Sequence, residues 1–436
     1  MEVRKGYKQT EVGIIPEGWV RKQLSDISEF ITKGATPTTY GFKWESSGIL
    51  FLRSECVTNN GIDLSKSMFI SELANKSLHR SEIRSNDLLI TITGNVGRIV
   101  FLNNQFGKGN INQHIAKIRI TDLDFDRSYV YHFLSQDIYR KYFESIVTGQ
   151  AYPQISLKQV RDANIFFPPT KFEQTAIATA LSDADALITS LEKLIEKKRA
   201  IKQGAMQKCL NPDFYDLCDD ADLKPNQRNH TNQKNQSSDK WEVKKLGEIA
   251  EIIGGGTPST YVTHYWNGTI NWFTPTEIGM NKYTYESHRK LTKEGLSNCS
   301  ARILPIGTIL LTSRAGIGDL SILMSEGCTN QGFQSMILKV GYSNEYLYYL
   351  MQTLKNVLLQ NASGSTFLEI SPNKIKQIQV SVPDFVEQTR IATILSDMDA
   401  EITALEQKLS KYKLIKQGMM QELLTGKIRL NQDLQD

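Results

Sequence analysis

Two short glycine turns, Gly94-Asn-Val-Gly97 and Ala315-Gly-Ile-Gly318, follow apolar strand-like runs and are the first candidates for phosphate chemistry. A loop of backbone N–H groups cradles phosphate when Gly-Lys-Ser/Thr follows it or when the full G-x-G-x-x-G spacing is present, and neither holds here. An amino-methyltransferase carries an Asp/Asn-Pro-Pro-aromatic loop. The nearest string, Asn211-Pro212-Asp213-Phe214, lacks the second proline, and Phe106-Gly107-Lys108-Gly109 has the wrong spacing for F-x-G-x-G. A metal nuclease needs carboxylates on a rigid strand, whereas Asp213 and Asp222-Leu-Lys224 fall in an acidic polar stretch. The 6 histidines form no H-E-x-x-H or comparable cluster. The 5 cysteines, Cys56, Cys209, Cys218, Cys299 and Cys328, include no C-x-x-C pair, which fits reduced thiols better than disulfides or zinc. No catalytic residue and no metal ligand is assigned, and a non-catalytic chain is expected.

The elements that would have to hold any site come next. A chain of 436 residues has room for two or three domains at about 150 each. With 40% apolar and 22% charged residues, wholesale disorder, collagen and coiled-coil fibres are excluded. No apolar run approaches the ~18 residues of a membrane span, and Met1–Thr10 is polar, so a cytoplasmic location is expected. A net charge of +4 permits a nucleic-acid partner without demanding one.

The chain contains itself twice. Glu173–Leu210 and Glu387–Leu424 align without a gap at an offset of 214 (387 minus 173), with 23 of 38 positions identical. Upstream, Trp19–Ile27 echoes Trp241–Ile249, and Thr36-Pro37 through Tyr40 matches Thr257-Pro258 through Tyr261. Asn112-Gln113 matches Asn330-Gln331, and Ile155-Ser156 matches Ile370-Ser371. Each copy is a divergent globular part followed by a strongly similar helical part.

In the helical parts, Ile177, Leu181, Ala184, Ile188, Leu191 and Ile195 step alternately by four and three, and so do Ile391, Leu395, Met398, Ile402, Leu405 and Leu409. That is a heptad seam. Thr170-x-x-Glu173 and Asp384-x-x-Glu387 read as capping boxes just after Pro169 and Pro383. Each helix is too long to be explained by packing on one domain core. The narrow, matching seams and charged outer faces favour two rods packed on each other as an antiparallel pair.

The globular parts read as strands at Gly48–Arg53, Leu88–Thr93, Ile111–Ile120, Asn164–Pro168, Ile270–Thr274, Thr308–Ser313, Ser335–Val340 and Ile378–Val382, with helices at Tyr129–Phe143 and Glu345–Gln360. Asn226–Ser238 has no apolar side chain and reads as a linker. The expected fold is α/β (mixed α+β): two globular domains joined by two long antiparallel coiled-coil helices with internal pseudo-twofold symmetry. The expected bounds are 1–172 for the first domain, 173–210 for its helical spacer, 211–239 for the linker, 240–386 for the second domain and 387–436 for the second spacer and tail. Such symmetry suits the local dyads of duplex DNA, with each divergent reader meeting its own half-site.

Three motifs, one of them present twice, carry a resemblance to a known family. They are Tyr7-Lys-x-Thr-Glu-Val-Gly-x-Ile-Pro-x-x-Trp19, the Gln-x-x-Ile-Ala segments within Pro168–Ala178 and Pro383–Ala392, and Leu423-Leu-Thr-Gly-Lys-Ile-Arg-Leu430. Over essentially its whole length the chain resembles the specificity subunit of type I restriction–modification systems. The resemblance implies two target-recognition domains and helical regions that act as a ruler. It also implies assembly with two modification subunits, which bring S-adenosylmethionine and N6-adenine methylation, and with restriction subunits that use ATP and Mg. This chain itself would bind no cofactor. It departs from the pattern in its middle, where Leu-Thr-Gly-Lys is missing after Leu210 and Tyr-Lys-x-Thr is missing before Trp241. The recognition part of a fused restriction–modification enzyme, and a coiled-coil interaction protein that does not bind DNA, remain as alternatives.

Phosphate contacts need Lys, Arg, Ser, Thr or backbone N–H; base readout favours Arg on guanine and Asn or Gln on adenine. Candidates in the first domain are Tyr40, Lys43, Arg53, Asn95, Arg98, Asn112 and Gln113, and in the second Tyr261, His264, Thr274, Arg314, Asn330, Gln331 and Thr366. Positions shared by both copies suit scaffold or backbone positioning, and unshared polar ones suit base reading. Arg314→Ala is therefore expected to relax recognition in one half-site alone, which sequencing of methylated adenines would reveal; loss spread evenly over both halves would refute the assignment.

Overall fold

The Leu88–Thr91 run is buried along its whole length, and its residues alternate between two cores. Leu88 and Ile90 face a large core built with helices, while Leu89 faces a smaller one with Leu52, Val57, Val100 and Ile111. The second copy repeats this: Ile309 and Leu311 face the large core and Leu310 the small one. The period of two along a strand is what lets one buried strand serve two cores. The computed structural model describes residues 5–10, 13–59, 61–104, 106–149, 152–211, 241–314, 316–364 and 368–430. The polar linker expected between the copies lies outside the described residues.

Two compact units form, one from Met1–Glu192 with Gln407–Asp436 and the other from Lys193–Glu406. In the first, an antiparallel sheet runs Ile99–Phe101, Leu88–Thr91, Ile115–Ile120, Ser28–Lys33. A mixed sheet runs Met68–Ile70, Ile49–Leu52, Gly109–Ile111, Glu82–Ile83, its central pair parallel. In the second unit the corresponding order is Ala250–Gly254, Gln334–Leu338, Ile309–Leu311, Leu320–Leu323, Tyr283–Thr284, and the smaller sheet is Arg289–Leu291, Trp266–Phe273, Gly327–Thr329. The expected strand Ile111–Ile120 is in fact two. Gly109–Ile111 and Ile115–Ile120 belong to different sheets, and the chain changes sheet at Asn112-Gln-His114.

The helix expected over Tyr129–Phe143 is likewise two, Arg127–Leu134 and Asp137–Ser145. The break falls at Gln136, which is extended (φ -63, ψ 145) and whose side-chain amide donates to the Phe133 carbonyl (2.9 Å), the acceptor that the next turn would have used. Glu345–Gln360 divides in the same way into Asn344–Thr353 and Lys355–Asn361.

The two rods span Lys171–Cys209 and Phe385–Leu423, 39 residues each, or about 58 Å at 1.5 Å per residue. Their starts show why Glu-Gln-Thr recurs. Gln174 is buried, donates to the Pro168 carbonyl (3.3 Å) and accepts from the Asp126 N–H (3.0 Å). Gln388 does the same with Pro383 (2.9 Å) and Ser343 (2.9 Å). One amide thus ties each rod to the start of the shorter helix beside it. Beyond this clamp, Ile177, Ala178 and Leu181 enter the first unit's core together with Leu423 and Leu424, while Ile391, Ala392 and Leu395 enter the second unit's core with Cys209 and Leu210. Farther along, Leu191, Ile195 and Ile402 are buried, and Ala184, Ile188, Met398, Leu405 and Leu409 are half-buried.

Ion pairs set the register. In the first unit Asp185 pairs with Lys416, and Glu192 with Lys413 (2.7 Å). In the second unit Lys202 pairs with Asp399 (2.5 Å), and Arg199 with Glu406 (2.5 Å). Within each unit, residue numbers rise on one rod as they fall on the other, so the rods are antiparallel. Each pair is also the other unit's pair seen through the offset of 214: Asp185 becomes Asp399 and Lys202 becomes Lys416 (399 minus 185, 416 minus 202). An arrangement met once in the sequence is used twice in the fold.

His132 sits against the first rod, where its Nε2 is 3.0 Å from the Ser182 hydroxyl. Burial, aided by the Lys416 charge, pushes its pKa down from 6.5 to about 3. Below about pH 6.5 the unfolded chain takes up a proton that the folded ring refuses. Its contribution is complete above that pH and is lost progressively towards pH 3, at a slope of up to about 1.4 kcal/mol per pH unit. NMR titration is expected to show a neutral ring at pH 5, and His132→Gln is expected to flatten this part of the stability profile.

Candidate nucleic-acid interface

The paired motifs prove to be each other's partners. In the first unit the chain leaves its edge strand at Gly34, and Ala35 N–H donates to the Ile111 carbonyl (3.2 Å). The approach is so close that a Cβ on Gly34 would lie 1.9 Å from the Ile111 oxygen. The next residue, Thr36, hydrogen-bonds the Gln113 side-chain oxygen, and Asn112 closes its own turn by accepting from His114 N–H (3.2 Å). The second unit repeats each step. Gly256 N–H donates to Thr329 (2.8 Å), a Cβ on Gly255 would fall 2.1 Å from the Asn330 oxygen, Thr257 donates to Gln331 (2.5 Å), and Asn330 accepts from Gly332 N–H (2.8 Å). Thr-Pro and Asn-Gln therefore make one rigid platform in each unit. The Asn side chains are spent on turn closure and the Gln oxygens on holding threonine.

Two further loops join each platform. Ile92 N–H donates to the His114 carbonyl (2.9 Å), Thr93 bridges Gln154, and Gly94 N–H donates to Pro153 (2.9 Å). In the second unit Ser313 N–H donates to Gly332 (2.7 Å), and Arg314 bridges Glu369. The glycine turns are closed by threonine: Thr91 holds the Asn95 carbonyl and Thr312 that of Gly316 (2.6 Å). Tyr40 projects from the first platform, 58% exposed, and Tyr261 from the second, 96% exposed. Tyr152 stands beside the first, 75% exposed. Exposed rings on a rigid base can stack on sugar or base at little entropic cost.

The other candidates divide by how they are engaged. Lys43 and Asn95 are exposed. Arg53 pairs with Glu55 (3.2 Å) and donates to the Lys66 carbonyl (3.3 Å), and Arg98 donates to Val57 (3.4 Å), so both arginines brace their own loops. His264 lies 3.2 Å from Glu294. Thr274 caps a short turn through Glu277 (2.6 Å). Arg314 is held by the Glu369 carboxylate at 2.9 Å, which offsets its charge. Thr366 lies outside the described residues. Gln154 and Glu369 were missed in the sequence, although a signal existed: they stand at matching positions directly before the shared Ile-Ser. Among the described residues no group of three or more His, Cys, Asp or Glu could hold a metal ion, and no helix is long and apolar enough to cross a membrane.

Two divergent modules on one repeated scaffold, each ending in a loop platform, define a class. Residues 16–203 and 238–412 match the family model for the type I restriction modification DNA specificity domain, and the chain belongs to that family. Among its relatives is the type I restriction enzyme MjaIX specificity subunit of Methanocaldococcus jannaschii, 44% identical over 163 residues; the match covers 36% of this chain and 38% of that protein. The putative type I restriction enzyme MjaX specificity subunit of the same organism is 24% identical over 440 residues, 98% of this chain and 97% of that one. The fold is also similar to the crystal structure of a type I restriction-modification system S subunit from M. genitalium, with TM-score 0.59 and 14% identity over 97% of this chain and 98% of the other.

If the platform positions the readers, filling the tightest contact of the second unit's platform should disable that module alone. Gly255→Ala is expected to cost the second unit about 1–3 kcal/mol through overpacking. Recognition of one half-site should weaken while the other is kept, as read by duplex binding with each half-site scrambled in turn.

Proposed function

We propose that this chain is the DNA-specificity subunit of a type I restriction–modification complex and is itself non-catalytic. The observation that carries this is the repeated platform with unlike side chains at like positions: Thr93 and Gln154 in one unit, Arg314 and Glu369 in the other. A shared scaffold holding different polar groups is what reading two different half-sites of one asymmetric target requires.

The rods then set the gap between half-sites and dock two modification subunits. Leu187, Leu194 and Ile201, seven residues apart along the first rod, are exposed and offer apolar area for such docking. S-adenosylmethionine, ATP and Mg belong to the modification and restriction subunits, and the complex works in the cytoplasm on double-stranded DNA. A nearly neutral chain suits this division, because partner subunits supply part of the hold on the phosphates.

Sequencing of methylated adenines in a host with and without this gene is expected to reveal one bipartite target that depends on the gene. Adding four residues to each rod, near Leu194 and near Lys408, keeps the antiparallel register. It should lengthen the gap while leaving both half-sites unchanged; an unaltered gap would refute the ruler.

A further inference from the structure

Resting on that reading, we infer that Arg289 is a base-reading residue of the second unit, directed at guanine, and that it is held for this by Trp266. Its guanidinium carbon lies 3.6 Å from the centre of the Trp266 ring and 5.4 Å from that of Trp272. The two indoles meet edge to face at 5.0 Å and are buried, so they form a fixed wall rather than a mobile flap. Both are tied to the platform loop: Trp266 donates to the Ser259 carbonyl (3.2 Å) and Trp272 to that of Gly256 (2.9 Å). Arg289 is therefore coupled through one ring to the loop that projects Tyr261.

The strand is shaped for this contact. Trp266 and Ile270 both pair with Leu291, so the residues between them bulge. Asn267 takes a left-handed conformation (φ 62), and a Cβ on Gly268 would meet the Leu291 oxygen at 2.2 Å. Bulges of this kind re-aim a side chain, here Trp266 beneath the guanidinium.

The charge is also free to act. The neighbouring carboxylates are engaged elsewhere: Glu294 with His264 (3.2 Å), Glu286 with Lys290 (2.5 Å), and Glu277 with the His288 N–H (2.7 Å). Arg289 is exposed, and among the described residues no acceptor takes its N–H groups. Arg314, by contrast, is neutralised by Glu369. Stacking covers a face of the guanidinium and leaves its edge donors in a planar fork, the geometry that matches the O6 and N7 acceptors of guanine.

The first unit decides between base and phosphate. There Trp44 and Phe51 meet at 5.1 Å as Trp266 and Trp272 do, and the residue paired with Phe51 is Met68, where Trp272 pairs with Arg289. Phosphates are the same in every half-site, so a phosphate contact has no reason to be arginine in one unit and methionine in the other. A base contact has.

The test uses the full chain co-expressed with its modification subunits in a host free of adenine methylation. Arg289→Met places in the second unit the residue that the first already tolerates, so folding should persist. One guanine position of a single half-site is expected to become degenerate, with discrimination falling about 5- to 100-fold. The other half-site and the gap should be unchanged. Arg289→Lys, which keeps charge but loses the planar fork, should relax the same position. Uniformly weaker methylation at an unchanged target would indicate a phosphate contact and overturn the inference, as would no change or loss in both halves. If methylation vanishes, competition binding between duplexes differing at each guanine reads discrimination directly, and retained discrimination overturns the inference. Absence of any bipartite target with the unaltered chain would instead overturn the DNA-specificity reading on which this rests.

Discussion

Neither globular part closes its core without a segment of the other copy's rod. The first unit needs Leu423 and Leu424 from the end of the second rod, and the second unit needs Cys209 and Leu210 from the end of the first. Each rod therefore serves both units, and its charged residues must satisfy both with one sequence pattern. Asp185 and Lys202 on one rod, and Asp399 and Lys416 on the other, meet this constraint because a repeat paired antiparallel with itself brings the same two positions together twice. A partly buried ion pair of this type adds little net stability, since desolvation consumes most of the attraction. Its stronger effect is on register: a slip by one turn would strand each charge against the wrong neighbour. The clamps at Gln174 and Gln388 then fix where each globular part joins its rod.

Given that frame, the globular parts are free to differ. What stays constant is backbone geometry: the glycine approaches at Gly34 and Gly255, the Asx turns, and threonine held by glutamine. What varies is the side chain set upon it, such as Met68 against Arg289 or Gln154 against Glu369. A rigid platform with replaceable surface groups separates the free energy that folds the module from the contacts that give it specificity.

Much of this was legible in the sequence, and the division has a physical reason. The repeat, the heptad seam and the capped rod starts follow from local periodicity, so they could be read directly. That Thr36 would meet Gln113 could not, because 77 residues separate them and only sheet pairing brings them together. The helix breaks at Gln136 and Leu354 and the change of sheet at Asn112 depend on hydrogen bonds and tertiary packing that apolar patterning does not encode. Arg289 was hidden most completely. Arg-Lys-Leu on a strand looks like ordinary surface alternation, and its stacking depends on a bulge at Asn267 and Gly268 in a different strand. The same locality hides the partner of Arg314: Glu369, which holds it, lies 55 residues onward (369 minus 314).

The reach of the last described segment sets an order in time. Arg429 grips both oxygens of Glu173, 256 residues earlier, at 2.6 and 2.8 Å, and that carboxylate is 1% exposed. During synthesis the first globular part is made long before Leu423–Leu430 exists to complete it, while everything the second unit requires is present once Glu406 has been added. Domains usually finish folding in the order in which they leave the ribosome. Here the order is reversed: the first unit made is the last to close, and until then Glu173 waits without its arginine.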